Sequence, residues 1–242
     1  MTSNNYFAFK RFIVYHDKCG MKVGTDGVLL GAWANGGKRI LDVGCGSGLI
    51  SLMMAQRFPE SEITAIDIDE DAFQQTMENV ARSEFAERIS IFQTSIQRFA
   101  TQSEAENNKK YDSIVCNPPF FVNSLKSPDS KRSAARHAET LPFAELFAAV
   151  EKTMTDKGEF SVIIPTDYLG VFKAEASLHG LFLSRKYSLK TTAKKAAKRQ
   201  LLSFSKQPPR KFEEYEQTLL DNEGKKSEWY KGLTRDFYLD EK

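Results

Sequence analysis

A repeating rhythm limits this chain to few folds. Strand-like runs alternate with helical stretches five times between residues 39 and 179. The runs are RILDV (39–43), EITAID (62–67), ISIFQ (89–93), YDSIVC (111–116) and GEFSVIIP (158–165). They are short and apolar, as strands covered on both faces must be. Helices are expected at 24–34, where Thr25 or Asp26 would cap, at 49–58, from the cap Asp69 to about Phe85, at 141–154 and at 167–179. The Asp69 helix would turn Ala72, Phe73, Thr76, Met77, Val80 and Ala81 to one face. QSEAENNKK (102–110) reads as a polar surface loop. Alternation of this kind gives a doubly wound α/β sheet, mostly parallel, with helices on both faces. After Gly180 the rhythm breaks. LFLSRKYSL (181–189) and RQLLSFSK (199–206) follow one another without a helix, which predicts an antiparallel hairpin at the sheet edge. Residues 6–15 read as a strand or hairpin arm, and 212–242 as a charged tail packed on the surface through aromatic residues.

At 242 residues the chain fits one α/β domain. No repeat or linker divides it, so 1–242 is read as one domain: an N-terminal segment (1–36), a core (37–206) and a C-terminal tail (207–242). Cys19, Cys45 and Cys116 are far apart and match no zinc spacing or disulfide framework. No h-region opens the chain, and no apolar run approaches the roughly 20 residues of a membrane span. A cytoplasmic protein is expected. Net charge is only +2, yet residues 185–211 hold ten Lys/Arg and no Asp/Glu. An acidic body with one basic stretch points to a local polyanion contact.

LDVGCGSG (41–48) leaves the first of the five runs. Gly44, Gly46 and Gly48 permit a tight turn and close approach of a ligand, and the helix behind them offers free N–H groups. Asp42 precedes the loop, and Asp67 ends the next strand, where a carboxylate can accept ribose hydroxyls. The spacing is G-x-G-x-G, not the G-x-G-x-x-G of dinucleotide binders, which argues against a nicotinamide-dependent oxidoreductase.

A second signal is VCNPPF (115–120), where an apolar strand ends in Asn117, Pro118, Pro119 and Phe120. Two prolines stop the strand and fix one shape. Such a rigid end presents two hydrogen-bond acceptors, the Asn117 side-chain oxygen and the Pro118 carbonyl, beside the aromatic ring of Phe120. Acceptors held in place beforehand need little reorganisation.

LDVGCGSG followed by AID resembles motifs I and II of the class I S-adenosylmethionine-dependent methyltransferases, and NPPF resembles the motif of members that methylate amide or amine nitrogens. That resemblance implies a Rossmann-like, mostly parallel seven-stranded sheet. It implies that Gly44, Cys45 and Gly46 line the methionine part of the cofactor, that Asp67 holds the ribose, and that Ile68 packs on the adenine. Thr94 and Ser95 stand where this class often has an acid contacting the adenine amine. FKRFIVYHDKCGMKVGTDGVLLGAWA (9–34), KRSAARHAETLPFAEL (131–146) and the terminal FYLDEK are similar to the bacterial tRNA(Val) adenine-N6 methyltransferase family. This second resemblance implies that the N-terminal segment covers the cofactor, with Lys22, Gly24, Thr25 and Asp26 near its carboxylate. It implies an adenosine 3′ of the anticodon as acceptor. For the tRNA partner the candidates are Arg132, Arg136 and His137, together with Lys194, Lys195, Lys198 and Arg199 at the tip of the basic hairpin. His16 and His179 receive no role. No metal is implied, and a monomer is expected. The competing acceptors are a base of ribosomal RNA and a protein glutamine; an RNA-binding module without activity is the other alternative.

Overall fold

The computed structural model describes residues 4–20, 22–105, 110–119 and 142–239. In chain order, strands β1 (Tyr6–Ala8) and β2 (Ile13–Tyr15) form an antiparallel hairpin. Helix α1 (Thr25–Trp33), β3 (Arg39–Val43), α2 (Leu49–Arg57), β4 (Glu62–Asp67), α3 (Glu70–Ala81) and β5 (Ile89–Gln93) follow. Then come α4 (Ile96–Ala105), β6 (Tyr111–Cys116), α5 (Phe143–Thr153), β7 (Met154–Pro165) and α6 (Leu169–Leu178). Strands β8 (Phe182–Lys190), β9 (Arg199–Ser205) and β10 (Glu213–Thr218) precede the last helix, α7 (Glu228–Thr234).

The sheet has eight strands in the order β10-β8-β9-β7-β6-β3-β4-β5, and only β9 runs antiparallel. The doubly wound expectation holds, with one strand more than the seven expected. The β8–β9 hairpin forms but does not lie at the edge, because β10 pairs in parallel with β8 outside it. EEYEQT is too charged to read as a strand. It joins the sheet through ion pairs across the ladder, Lys186 to Glu214 and Lys190 to Glu216 at 2.5 Å each, and its acids blunt an otherwise open edge.

One apolar cluster fills each face of the sheet. Alternation along β3 divides the two: Ile40 belongs to the cluster under α1 and α2, Leu41 and Val43 to the one under α4, α5 and α6. In the second, the Phe147 ring meets Phe160, Phe172 and Phe204 at centroid distances of 5.6, 5.5 and 5.5 Å. Truncating such a ring costs about 3–5 kcal/mol.

Helix α1 is buried from Gly27 to Trp33 because it is enclosed by α2, α7 and the sheet. A Cβ on Gly31 would sit 2.8 Å from Met53 Sδ, so glycine lets α1 and α2 approach. Its N-cap is Gly24 without a side-chain bond, not Thr25 or Asp26. Asp26 is instead drawn to Arg199, Nε to Oδ2 2.7 Å. Asp69 does cap α3, accepting from the Ala72 N–H at 2.8 Å. That helix ends at Ala81, short of the expected Phe85. Its buried face is Ala72, Gln75, Thr76, Asn79 and Val80, while Met77 and Ala81 are exposed. Helix α4 takes residues 102–105 out of the expected loop. The tail does more than coat the surface: it supplies β10, and Tyr230 and Phe237 enter the core.

Candidate active site

The strand order reverses between β3 and β6, the point where open α/β sheets bind ligands beyond the carboxyl ends of their strands. There Val43, Ile66 and Cys116 share one rung, since Val43 pairs with both neighbours. The residues after them, Gly44, Asp67 and Asn117, therefore leave the sheet side by side. Gly44 and Cys45 donate their N–H groups to the Ile66 carbonyl at 2.9 and 3.0 Å, fastening the loop to β4.

Gly44 (φ 70°) and Gly46 (φ 58°) both adopt the left-handed conformation, and a Cβ built on either meets nothing within 4 Å. The loop thus faces open space, as a ligand cradle must. Gly48 (φ 77°) differs: a Cβ there would lie 3.0 Å from Thr76 Cγ2, so it serves the packing of α2 on α3. Asp67 receives the Gly46 N–H on Oδ2 at 2.9 Å and the Asp69 N–H on Oδ1 at 3.0 Å. Burial raises its pKa, and these N–H donors oppose the rise. Each oxygen keeps a lone pair for a diol. Ile68 beside it is 66% exposed, an apolar side chain offered to a flat ligand.

Asp42 is fully buried and takes the Ser51 hydroxyl on Oδ2 at 2.6 Å, while Oδ1 is buried without a partner among the described residues. Burial pushes its pKa up to about 7 against the Ser51 hydrogen bonds. Cys45 is buried against Thr76, and burial takes its thiol, like that of Cys116, well above the usual range, so both stay neutral. Beyond β5, Thr94 N–H donates to the Asp67 carbonyl at 2.8 Å, and Ser95 Oγ accepts from Arg98 N–H at 3.3 Å at the start of α4. Lys22, Gly24 and Thr25 are exposed and Asp26 is half-buried. Burial and the nearby Asp67 and Asp69 raise the Cys19 pKa to about 12.

Three further contacts come from residues with no role assigned from the sequence. Thr76 Oγ1 donates to the Gly46 carbonyl at 2.7 Å, Asn79 Nδ2 to the Ser47 carbonyl at 2.8 Å, and Gln75 Oε1 accepts from Lys18 N–H at 3.0 Å. A legible signal existed: polar side chains on the inward face of an amphipathic helix.

Asn117 is half-buried, Pro118 buried and Pro119 exposed. Phe120, Arg132, Arg136 and His137 lie outside the described residues. Lys194, Lys195 and Lys198 are exposed in the β8–β9 turn. That turn sits at the carboxyl end of the sheet, because Pro165 at the end of β7 pairs with Arg199. The ten basic residues are not all free to meet a polyanion. Arg185, Lys186, Lys190, Arg199 and Lys206 face Glu159, Glu214, Glu216, Asp26 and Asp156. No group of three or more His, Cys, Asp or Glu among the described residues could hold a metal.

An open glycine cradle and a ribose-ready acid fit S-adenosylmethionine, and with the sheet they define a class I S-adenosylmethionine-dependent methyltransferase. Residues 21–168 match the methyltransferase small domain family. The chain is 45% identical over 98% of its length to the tRNA1(Val) (adenine(37)-N6)-methyltransferase of Bacteroides fragilis, covering 99% of that protein. It is 42% identical to the same enzyme of Pseudoalteromonas translucida, covering 96% of this chain and 98% of that one. The chain belongs to the tRNA1(Val) (adenine(37)-N6)-methyltransferase family. The fold is also that of a predicted O-methyltransferase from Agrobacterium tumefaciens: TM-score 0.68 at 16% identity, over 88% of this chain and 96% of that one.

Proposed function

We propose that this methyltransferase acts on the exocyclic N6 amine of an adenosine in the anticodon loop of a valine tRNA, the one 3′ of the anticodon. The observation that carries the reading is the shared rung, which sets Asn117 and Pro118 beside the glycine cradle and Asp67. S-adenosylmethionine, when bound, supplies an electrophilic methyl group. Gly44, Cys45 and Gly46 line its methionine part, Asp67 takes the ribose hydroxyls, Ile68 and the Thr94–Ser95 turn border the adenine, and Lys22, Gly24, Thr25 and Asp26 lie toward the carboxylate. Asp42, buried behind the loop, holds Ser51 of the helix that follows it. The Asn117 side-chain oxygen and the Pro118 carbonyl accept the amine hydrogens and turn the nitrogen lone pair toward the methyl. Pro119 fixes the turn, and Phe120 stacks on the base. No general base is needed to start, because the methylated nitrogen sheds its proton readily. A loop adenosine leaves its stack cheaply, which suits a pocket reached only by a splayed base.

Lys194, Lys195 and Lys198 track phosphates of the anticodon stem-loop at the same end of the sheet. Arg132, Arg136 and His137, outside the described residues, are assigned to contact with the target nucleotide. Among the described residues no helix is long and apolar enough to cross a membrane. The tRNA substrate places the enzyme in the cytoplasm. The chain acts as a single domain and as a monomer.

The test is methyl transfer from labelled S-adenosylmethionine into bulk bacterial tRNA and ribosomal RNA in parallel. Label in tRNA, recovered as N6-methyladenosine after digestion, is expected; label in ribosomal RNA alone overturns the tRNA assignment.

A further inference from the structure

The fully buried amide of Asn79 joins two parts of the site that are remote in sequence. Its Oδ1 accepts the Tyr15 N–H at 3.0 Å, and its Nδ2 donates to the Tyr15 carbonyl and to the Ser47 carbonyl at 2.8 Å each. The first two bonds extend β2 as another strand would, and the third grips the glycine loop. One turn earlier, Gln75 holds the backbone of Lys18, and Thr76 holds the Gly46 carbonyl. Gln75 and Asn79 are themselves buried, and the Asn79–Ser47 bond is buried throughout, so water does not readily replace it. An unpaired carbonyl or N–H there carries its full desolvation cost.

We propose that Asn79 is a positioning residue for methyl transfer: it locks the N-terminal hairpin to the glycine loop and so sets cofactor affinity without touching cofactor or substrate. Gln75 and Thr76 extend the same latch. The inference rests on the reading that the glycine loop and the N-terminal segment hold S-adenosylmethionine. The tail also holds the hairpin, with Lys10 N–H donating to the Phe237 carbonyl at 2.8 Å.

The full chain is titrated with S-adenosylmethionine by calorimetry and assayed for cofactor KM and kcat. The variants are Asn79→Leu, Asn79→Asp, Gln75→Leu and Asp67→Ala, and Ser203→Ala, three strands away from β3, is the control for loss of a buried hydrogen bond. Asn79→Asp keeps the acceptor for Tyr15 but turns an oxygen toward two carbonyls. Both Asn79 variants should raise the cofactor Kd and KM about tenfold or more. kcat at saturating cofactor should change far less, and hydrogen exchange should quicken at residues 14–18 and 46–48. Ser203→Ala should lower the melting temperature with Kd unchanged. If Asn79→Leu does not fold, Asn79→Asp and Gln75→Leu decide by the same readouts. Cofactor affinity unchanged in the folded Asn79 and Gln75 variants, with Asp67→Ala weakened, overturns the latch alone. If Asp67→Ala also binds normally, the cofactor-site reading has failed instead.

Discussion

The carboxylate of Asp67 and the backbone N–H of Gly46 meet at 2.9 Å, joining the acid at the end of β4 to the loop that leaves β3. One oxygen thereby shapes the cradle while the same group stays open to a diol. Asp67→Ala removes both functions. Cofactor binding should weaken about ten- to a hundredfold, the worth of one charged hydrogen bond. Isothermal titration with S-adenosylhomocysteine measures it, and unchanged affinity would remove Asp67 from the site.

In the proposed mechanism Asn117 supplies an acceptor that matters only as the amine nitrogen attacks the methyl group. Asn117→Ala should lower kcat about a hundredfold or more, with tRNA and cofactor affinity nearly unchanged. Single-turnover transfer alongside filter binding separates the two. Equal losses in binding and rate would show that the side chain serves general docking.

Lys194, Lys195 and Lys198 are the exposed cations of the β8–β9 turn. Changing all three to alanine should weaken tRNA binding and lower the salt slope of log K by about two, at roughly 0.7–0.9 for each phosphate no longer neutralised. Cofactor affinity should not move. Lys186 and Lys190, already paired with Glu214 and Glu216, should give a smaller salt effect when replaced. A slope that stays constant in the triple variant would place the RNA elsewhere.

Asp42 makes cofactor-free stability depend on pH. Its pKa rises from 3.8 to about 7 on folding, because burial disfavours the anion. The folded chain therefore holds a proton that the unfolded chain has released. The stability this group contributes is full below about pH 4 and is lost as pH climbs to about 7. Against wild type, Asp42→Asn should melt at a temperature that falls less between pH 5 and 8. Parallel melting curves for the two proteins would argue against a neutral Asp42.

Much of this is legible because burial writes itself into sequence. RILDV, EITAID and YDSIVC are covered on both faces, and their apolar runs announce strands. The glycines and Asp67 announce the cradle because few residues tolerate a positive φ or can take a diol. What stays hidden depends on partners distant in the chain. Glu213–Thr218 is a strand because Lys186 and Lys190 neutralise it, a reason invisible in EEYEQT itself. Helix α4 buries only Ile96 and Ala100, so its few apolar positions are lost among polar residues. Asp26 looks like a cap, but Arg199, 173 residues away, claims its carboxylate. Thr76 reads as one more member of an apolar face, although its hydroxyl and the amides of Gln75 and Asn79 carry the connection to the loop and the hairpin.

The interior place of β9 has a consequence for how the chain is made. β7 must wait for a neighbour that is synthesised after β8, so from Pro165 to Ser205 the ribosome adds 40 residues while that edge stays open. At cellular rates this is about two to eight seconds. During that interval Val162, Ile163 and Ile164, fully buried in the finished sheet, lie on the strand whose edge is unpaired. Such an edge invites pairing with the wrong chain. The interval sets a window in which a chaperone at the tunnel exit is most useful, and slowing translation between those residues should lower soluble yield without altering the mature enzyme.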